Sequence, residues 1–256
     1  MRRIVVKVGS AVLTQDGAIA LERMQALVDF LAELKKNNEV ILVSSGAVAG
    51  GYTELQLDRS IIANKQALAA IGQPILMQKY AKKFHNYNII TAQVLVTAVN
   101  LNKADDIQRV KNTVDTLLEN GVIPIVNEND ATSTDELEVG DNDQLSAYIA
   151  KHTDSDILII LSDIDAYYDA DPRQNPNAKV LKIVNYISED ELTKDVTPNN
   201  IFATGGIVTK LKAASYLLDN GIDMFLASGF NLLDVRSFML ENKHIGGTLF
   251  TKDKRC

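Results

Sequence analysis

Apolar and polar positions follow two different periods along this chain. Short runs rich in Val and Ile predict strands at residues 3–8, 39–44, 89–96, 122–126, 156–161, 179–184, 222–227 and 247–251. Longer segments with apolar residues three or four positions apart predict helices near 21–37, within 61–85, and near 105–119, 142–152, 207–219 and 231–240. Strands that alternate with helices in this way are typical of an α/β fold, a three-layer αβα sandwich in which helices cover both faces of a mainly parallel open sheet.

The first predicted helix shows how such a helix would pack. Its apolar residues fall on one helical face, which we expect to be buried against the sheet: Leu21, Met24, Leu27, Val28, Leu31 and Leu34. No repeat, low-complexity tract or linker interrupts the alternation of strands and helices. Residues 1–256 are therefore interpreted as a single domain.

Acidic residues are concentrated in one short segment. The formal net charge of −7 is matched by seven carboxylates between residues 127 and 143, which are Glu128, Asp130, Asp135, Glu136, Glu138, Asp141 and Asp143. This segment follows directly on the apolar run 122–126, and the C-terminal end of a strand is where an open α/β sheet usually binds its ligand. Two interpretations are open at this point: a solvated loop, or the wall of a binding site.

The overall composition limits the partners. Because the net charge is −7, we expect a small ligand, and neither a nucleic acid nor an anionic membrane surface. The one cysteine, Cys256, excludes an internal disulfide and favours a cytoplasmic location. No apolar stretch approaches the roughly 18 residues that a membrane-spanning helix needs.

Lys7 lies within an apolar strand run and is followed at once by Gly9 and Ser10. A buried ammonium group needs a partner, and a glycine turn after a strand lets backbone N–H groups approach an anion. The alternative is a lysine at the end of a strand whose ammonium group reaches solvent.

Residues 43–51 pass from the second strand into a turn and a helix of small residues, with Ser45 and Gly46 at the turn. Small residues at a helix N-terminus would let a ligand approach the backbone closely. Tight packing of the helix against the sheet would explain the same residues equally well.

Residues 204–210 open another predicted helix with a glycine pair, two threonines and Lys210. This composition suits phosphate binding, because the helix dipole disfavours a lysine in the first turn unless it has an anionic partner. A plain capping turn is the alternative. The segment is not a P-loop, because the pattern GxxxxGK[ST] occurs nowhere in the chain.

These segments all lie at the C-terminal ends of strands or the N-terminal ends of helices, which meet at one edge of a parallel sheet. Two lysines, glycine-rich turns and an acidic loop at that edge are the components of phosphoryl transfer, which requires positive charge directed at phosphate oxygens. Because Lys7 and Lys210 would repel each other, we expect a carboxylate between them, either Asp141 or Asp143.

The motifs resemble those of the amino acid kinase family along essentially the whole chain, at residues 6–10, 44–47, 126–130, 139–143, 171–173 and 204–210. The blocks Asn-Glu-Asn-Asp and Gly-Asp-Asn-Asp are the specific part, and they are similar to those of members that phosphorylate the γ-carboxylate of L-glutamate. The Lys-x-Gly start and the Thr-Gly-Gly helix occur more widely and indicate the fold alone. The resemblance implies one amino acid kinase domain.

The resemblance also implies roles for individual residues. Lys7 and Lys210 would stabilise the phosphoryl group during transfer, and Asp143 would hold the two lysines. The implied substrate-binding residues are Ser45, Asp130, Asn142, Asn127 and Asp141. The implied nucleotide-binding residues are Lys7, Gly9, Ser10, Ser162, Asp163, Thr204, Gly205, Gly206, Ile207, Val208, Thr209 and Lys210. ATP and Mg²⁺ are the implied cofactors, with no residue assigned as a metal ligand. Proline is the implied inhibitor, and the assembly would be a homodimer or homotetramer.

The acidic segment also bears on the choice of substrate. Carboxylates would repel the carboxylates of glutamate but attract its α-ammonium group, which argues against an N-acetylated substrate. The middle of the segment, with Asp135, Glu136 and Glu138, is predicted to be a solvated turn. Rival hypotheses are a related kinase acting on carbamate, aspartate or a nucleoside monophosphate, and a non-catalytic amino-acid-binding regulator. The presence of both Lys7 and Lys210 argues against a regulator.

The chain departs from the family pattern at three positions. Ala11 stands where a second hydroxyl residue is usual, Ser162 where threonine is usual, and Ala166 where glycine is common. Many members also continue into a C-terminal PUA domain, whereas this sequence ends soon after residues 247–250. We therefore expect a short form without that domain.

Overall fold

The computed structural model describes residues 1–97, 100–101, 103–132, 142–193 and 206–253. The strands in these ranges are β1 (Arg2–Val8), β2 (Thr14–Gln15), β3 (Ala18–Ile19), β4 (Asn38–Ser44), β5 (Thr91–Val96), β6 (Ile123–Glu128), β7 (Ile157–Ser162), β8 (Ile183–Val184), β9 (Asp223–Ser228) and β10 (Thr248–Phe250). The helices are α1 (Ser10–Leu13), α2 (Leu21–Leu34), α3 (Ala47–Tyr52), α4 (Ile62–His85), α5 (Ala104–Glu119), α6 (Asn142–His152), α7 (Glu189–Thr193), α8 (Ile207–Asp219) and α9 (Leu233–Glu241).

Eight strands form one sheet in the order β5-β6-β4-β1-β7-β9-β10-β8. The strands from β5 to β9 in this order pair in parallel, whereas β10 pairs antiparallel to β9 and parallel to β8. Parallel neighbours need long crossover connections, which the helices provide. The prediction of a mainly parallel α/β sheet between two helical layers is confirmed.

The side chains of the central strand β1 alternate between two hydrophobic cores. Ile4, Val6 and Val8 belong to the core that includes residues of α2, α4 and α9. Val5 belongs to the core on the opposite face, which includes residues of α5, α6 and α8. Because successive side chains of a strand point to opposite faces, Lys7 lies on the same face as Val5 and so faces α6 and α8.

The structure differs from the predicted elements in a few places. Leu21 is 50% exposed as the first residue of α2, so its prediction as a core residue is wrong, because the buried face of the helix begins at Met24. The other five predicted residues of that face are buried. The strand predicted at 179–184 pairs with β10 only at Ile183 and Val184, although Tyr168 and Val180 form an isolated bridge.

Four short elements, α1, α7 and the hairpin of β2 and β3, have no predicted counterpart, because they are too short to show a period. In the part of the chain that the structure describes, no helix combines the length and the apolarity needed to cross a membrane.

Candidate active site

Several candidate residues lie at the C-terminal ends of the central strands of the sheet. Gly9 follows β1, Ser45 follows β4, and Asp163 follows β7. The strands β4 and β7 lie on opposite sides of β1, and the chain crosses from one half of the sheet to the other after β6. Such a topological switch point leaves a crevice at the C-terminal ends of the strands, where open α/β sheets bind ligands.

One half of the site is a cluster of three ionised side chains, Lys7, Asp143 and Lys210, which we call the charged trio. Lys7 Nζ contacts Asp143 Oδ1, and Lys210 Nζ lies 3.1 Å from Asp143 Oδ2. Lys7 is 4% exposed, Asp143 0% and Lys210 2%. Charges this deeply buried persist only when they are paired. Two ammonium groups and one carboxylate leave the trio with a net positive charge at the ligand-binding edge.

Three separate elements bring the trio together. Lys7 extends from β1 toward the face that α6 and α8 cover. Asp143 is the second residue of α6 and Lys210 belongs to the first turn of α8. A carboxylate in the first turn of a helix is favoured by the helix dipole, whereas a lysine there is disfavoured, so Lys210 depends on its ion pair. The expected carboxylate between the two lysines is Asp143, and Asp141 lies outside the described residues.

The environment of Asp143 keeps its carboxylate ionised. Burial raises the pKa of Asp143, but the charges of Lys7 and Lys210 and their hydrogen bonds lower it by more than burial raises it. The resulting pKa is about 2. Thr209 Oγ1 lies 2.9 Å from Asp143 Oδ2 and 2.9 Å from the carbonyl oxygen of Gly206, so its proton is shared between two acceptors. The carboxylate of Asp143 is therefore a fixed negative charge that forms ion pairs with both lysines at neutral pH.

The backbone N–H and carbonyl groups of Gly9, after β1, already form hydrogen bonds within the protein. The N–H of Gly9 donates to the carbonyl oxygen of Leu161 at 3.1 Å, and the carbonyl oxygen of Gly9 accepts from Val12 and Leu13. Gly9 has an ordinary extended backbone, with φ of −74°. Ser10 opens α1 and is exposed, so its N–H belongs to the first turn, where helices have no internal acceptor.

The start of α8 is the second candidate phosphate segment. Gly206 caps the helix in an extended conformation, with Ile207 and Val208 half-buried in the first turn. Thr209 and Lys210 follow in the same turn and join the trio. Thr204 and Gly205 lie outside the described residues, so their assignment to the nucleotide site stays a prediction.

The end of β7 supplies the last predicted nucleotide residues. Ser162 is 3% exposed, and its hydroxyl donates to Asp163 Oδ1 at 2.9 Å while accepting from the N–H of Ile164 at 3.3 Å. Asp163 itself is exposed at the edge. Ala166, which stands where relatives often have glycine, is buried and is not among the residues with positive φ, so the loop does not need glycine there.

The other half of the site is a row of four amide side chains that ends on Ser45, which we call the amide chain. Gln73 Nε2 lies 3.2 Å from Gln93 Oε1, and Asn127 Nδ2 lies 3.0 Å from Gln73 Oε1. Asn142 Nδ2 lies 3.2 Å from Asn127 Oδ1 and 2.7 Å from Ser45 Oγ. The chain thus joins β5, α4, β6 and α6 to the turn after β4.

A cavity of about 170 Å³ opens beside the amide chain. Its lining includes Gln73, Glu128 and Asp130. Burial and the neighbouring Glu128 raise the pKa of Asp130 to about 6, while Lys65 acts against this rise. The volume lies below the roughly 300 Å³ at which drug-sized sites begin, so the cavity suits a small metabolite, and its carboxylates suit a cationic group.

The small residues after β4 serve two different purposes. Gly46 has φ of +109°, a conformation that other residues adopt only with strain. A Cβ on Gly51 would lie 2.0 Å from the carbonyl oxygen of Leu68, and a Cβ on Gly72 would lie 1.7 Å from that of Ala47. Gly51 and Gly72 therefore allow α3 and α4 to pack in close contact. For the helical part of residues 43–51, tight packing is the better explanation, but α3 packs against the helix α4 and not against the sheet.

The structure thus brings Lys7, Asp143, Thr209 and Lys210 together in one half of the site. It brings Ser45, Asn127 and Asn142 together in the other half, with Asp130 lining the adjacent cavity. Asp135, Glu136 and Glu138, like Asp141, lie outside the described residues, so the predicted solvated turn remains untested.

Gln73 and Lys65 belong to none of the sequence motifs that indicated the site. Gln73 occupies an inward position of α4 together with Leu68, Ala69, Gly72 and Leu76. A polar residue at a periodic apolar position was a signal that could have identified it.

Comparison with known proteins identifies the class of protein. The chain belongs to the amino acid kinase family, whose family model matches residues 2–228. It is 52% identical to the glutamate 5-kinase of Wolinella succinogenes over 257 aligned residues, which cover 98% of this chain and 98% of that protein. It is 50% identical to the glutamate 5-kinase of Leishmania donovani over 98% of this chain and 95% of that protein.

A solved structure supports the fold independently. The isopentenyl phosphate kinase of T. acidophilum, in its product complex, superimposes with a TM-score of 0.67 over 97% of this chain and 99% of that chain. Its sequence identity is 16%, so the match bears on the architecture and not on the acceptor. The fold expected from the family resemblance is confirmed.

Proposed function

We propose that this protein transfers the γ-phosphoryl group of ATP to the γ-carboxylate of L-glutamate, giving γ-glutamyl phosphate and ADP, the first step of proline biosynthesis. The proposal rests on the charged trio, in which Asp143 holds Lys7 and Lys210 at the ligand-binding edge of the sheet. The full-length similarity to two proteins named glutamate 5-kinase supports glutamate as the acceptor.

The lysines would stabilise the phosphoryl group during transfer. Negative charge spreads over the equatorial phosphoryl oxygens in the transition state, and catalysis depends mainly on positioning and electrostatics. Ammonium groups already fixed by Asp143 need little reorganisation when this charge develops. The N-terminus of α8, which begins at Ile207, lies beside the trio and adds N–H donors for phosphate.

The acceptor needs no general base. A glutamate side chain has a reference pKa of about 4.3, so the γ-carboxylate is ionised at neutral pH. One of its oxygens would attack the γ-phosphorus directly while the bond to the β,γ-bridging oxygen breaks and ADP leaves with the electron pair. With a pKa of about 2, Asp143 is too weak a base to accept a proton, which agrees with a positioning role.

The acceptor would bind in the cavity with a defined orientation. Glu128 and Asp130 line the cavity and attract the α-ammonium group, whereas the net positive trio attracts the γ-carboxylate. Asn142 connects the amide chain to the trio, because it contacts Ser45 and directly precedes Asp143. The Ser45 hydroxyl and the Asn142 amide are hydrogen-bond donors that would bind a carboxylate oxygen of the acceptor. An N-acetylated substrate would present no ammonium group to the acidic wall.

Mg²⁺ would accompany ATP. Within the described ranges, no three His, Cys, Asp or Glu side chains come close enough together to hold a metal ion. Magnesium in kinase sites is held largely by substrate phosphates and water, with one or two carboxylates, so this donor set is compatible with a magnesium–nucleotide complex. When bound, the ion would neutralise phosphate charge.

Trapping the product with hydroxylamine tests the proposed function. Purified protein is incubated with ATP, MgCl₂, L-glutamate and hydroxylamine, and γ-glutamyl hydroxamate and ADP are measured. We expect hydroxamate with L-glutamate and none with N-acetyl-L-glutamate. ADP formation with carbamate, aspartate or a nucleoside monophosphate, and none with glutamate, would contradict the choice of acceptor. Glutamate binding without ADP formation from any acceptor would indicate a regulator.

The family resemblance extends the proposal to regulation and assembly. We infer that L-proline inhibits the enzyme, that the chain functions in the cytoplasm as a single amino acid kinase domain, and that it assembles as a homodimer or homotetramer. Adding L-proline to the hydroxamate assay tests inhibition. Light scattering of the purified protein tests assembly, and a monomer at micromolar concentration would contradict it.

A further inference from the structure

The direction of every hydrogen bond in the amide chain follows from one backbone group. The N–H of Glu128 lies 2.9 Å from Asn127 Oδ1, and a backbone N–H can only donate, so the atom of Asn127 facing it has to be the oxygen. Asn127 Nδ2 then faces Gln73, whose contacting atom has to be the acceptor Oε1. Gln73 therefore turns its own Nε2 toward Gln93.

The same polarity continues to the turn after β4. Asn127 Oδ1 also accepts from Asn142 Nδ2, and this nitrogen lies within hydrogen-bond distance of Ser45 Oγ. Ser45 Oγ therefore accepts a hydrogen bond from Asn142, and its own O–H can donate a hydrogen bond outward. A donating hydroxyl suits a substrate carboxylate, whereas a hydroxyl that donated to Asn142 would present lone pairs and repel one.

We propose that Gln73 is a positioning residue for the acceptor site, which orients the amides of Asn127 and Asn142 so that the Ser45 hydroxyl donates a hydrogen bond to the acceptor's carboxylate. The inference rests on the proposed function and deepens it. Gln73 is 7% exposed and comes from α4, which is remote in sequence from the other members. Its Oε1 is the acceptor of the Asn127 amide nitrogen. Without that acceptor the N–H of Glu128 still holds Asn127 Oδ1, but the buried Nδ2 loses its partner and the plane of the amide is held at one end only.

Replacing Gln73 by methionine tests the proposal, because Met has a similar length but no amide. We expect Gln73→Met to raise the KM for glutamate about tenfold, the size of effect that loss of a buried hydrogen-bond partner produces, with kcat and the KM for ATP within about twofold of wild type. Gln73→Glu keeps an oxygen acceptor for Asn127 and should restore most of the affinity. Gln78→Met makes the same substitution at an exposed position of α4 and serves as the matched control.

A double-mutant cycle separates positioning from direct contact. If Gln73 acts through Asn127, then adding Gln73→Met to Asn127→Ala should change the KM for glutamate by less than about twofold. Equal effects of Gln73→Met in both backgrounds would overturn the proposal, as would an unchanged KM in Gln73→Met alone. Thermal unfolding of each variant verifies the fold, and calorimetric titration with glutamate gives the affinity where turnover is too slow to measure.

The wild-type protein distinguishes this inference from the proposed function. If wild type forms no γ-glutamyl hydroxamate, the proposed function fails. If wild type is active and Gln73→Met leaves the KM for glutamate unchanged, only the role of Gln73 fails.

Discussion

The two halves of the candidate active site differ in charge, one built from ionised and the other from neutral side chains, although the neighbouring residues Asn142 and Asp143 belong to different halves. The charged trio consists of ionised side chains that are almost completely buried, with the pKa of Asp143 lowered to about 2. The amide chain consists of neutral side chains beside a cavity, where the pKa of Asp130 is raised to about 6. The carboxyl group of the first half stays ionised at any physiological pH, whereas the carboxyl group of the second titrates near pH 6.

The first two residues of α6 join these halves. Asn142 contacts Ser45 and Asn127, whereas Asp143 contacts Lys7 and Lys210. Consecutive helical residues point about 100° apart, so one helix start reaches both halves. Under the proposed function, a single peptide unit would hold the acceptor and the phosphoryl group in register, and such alignment of reactants is a large source of rate enhancement. We therefore expect the trio to determine mainly kcat and the amide chain mainly the KM for the acceptor.

Removing a lysine of the trio should have the largest effect. We expect Lys210→Ala to lower kcat by a factor of roughly 10² or more while the protein stays folded, because a fixed positive charge opposite the transferring phosphoryl group is lost. The hydroxamate assay measures turnover, and circular dichroism verifies the fold. Unchanged turnover in a folded variant would remove Lys210 from the mechanism.

Removing the central charge of the trio should have the second-largest effect, a loss of stability. Asp143→Asn leaves two buried ammonium groups facing a neutral amide, and we expect it to lower the free energy of unfolding by about 3 kcal/mol at pH 7. Asp219→Asn is the matched control, because Asp219 forms an exposed ion pair with Lys252 at 3.5 Å, and such surface pairs contribute little. Urea denaturation gives both values.

The pH dependence of the Asp143 contribution has a definite sign. Its folded-state pKa, about 2, lies below the unfolded value of about 3.9, so its stabilisation is fully present above about pH 4 and is lost as the pH falls toward 2. The difference in unfolding free energy between wild type and Asp143→Asn should therefore shrink across that range. A difference that stays constant down to pH 2 would contradict the ion-pair assignment.

Asp130 should behave in the opposite way. Its folded-state pKa is raised to about 6, so the charged form costs free energy in the folded, ligand-free protein, increasingly so from about pH 4 to pH 6. We expect Asp130→Asn to raise the Tm of the ligand-free protein at pH 7 and also to raise its KM for glutamate. In wild type this KM should increase as the pH falls below 6, because a protonated Asp130 no longer attracts the α-ammonium group, and the variant should lose that dependence.

Thr209 should give the smallest effect. Thr209→Val removes the hydroxyl that contacts Asp143 Oδ2 but keeps the shape of the side chain, and we expect kcat to fall about threefold to tenfold from the loss of one hydrogen bond to a charged group. Thr209→Ser keeps the hydroxyl and is the control. If Thr209→Val matches wild type, the hydroxyl makes no contribution to the alignment of the trio.

Much of the fold and part of the site could be predicted because their signals are local. Strand and helix periods predicted the mainly parallel sheet, and motifs at strand ends placed Lys7, Ser45 and the acidic segment at one edge. Repulsion between Lys7 and Lys210 also predicted a carboxylate between them, without distinguishing Asp141 from Asp143.

Local signals failed where the deciding contact is distant in the chain. Gln73 hydrogen-bonds Asn127 across 54 positions, and no pattern around either residue indicates the other. The small residues at 43–51 fitted a ligand site and tight packing equally well in the sequence, yet Gly51 serves the close approach of α3 to α4. Leu21 fits the apolar period of α2 but is 50% exposed at the first position of the helix.

The sequence by itself determined the α/β class, the edge of the sheet that carries the candidate site and the charges gathered there, because period and residue type act over a few neighbouring positions. Only the tertiary structure decided which carboxylate bridges the lysines, which pKa falls and which rises, and which amide of α4 joins Asn127 beside the cavity. Those outcomes depend on burial and on contacts between residues as far apart as Lys7 and Asp143, 136 positions in the chain, which folding alone brings together.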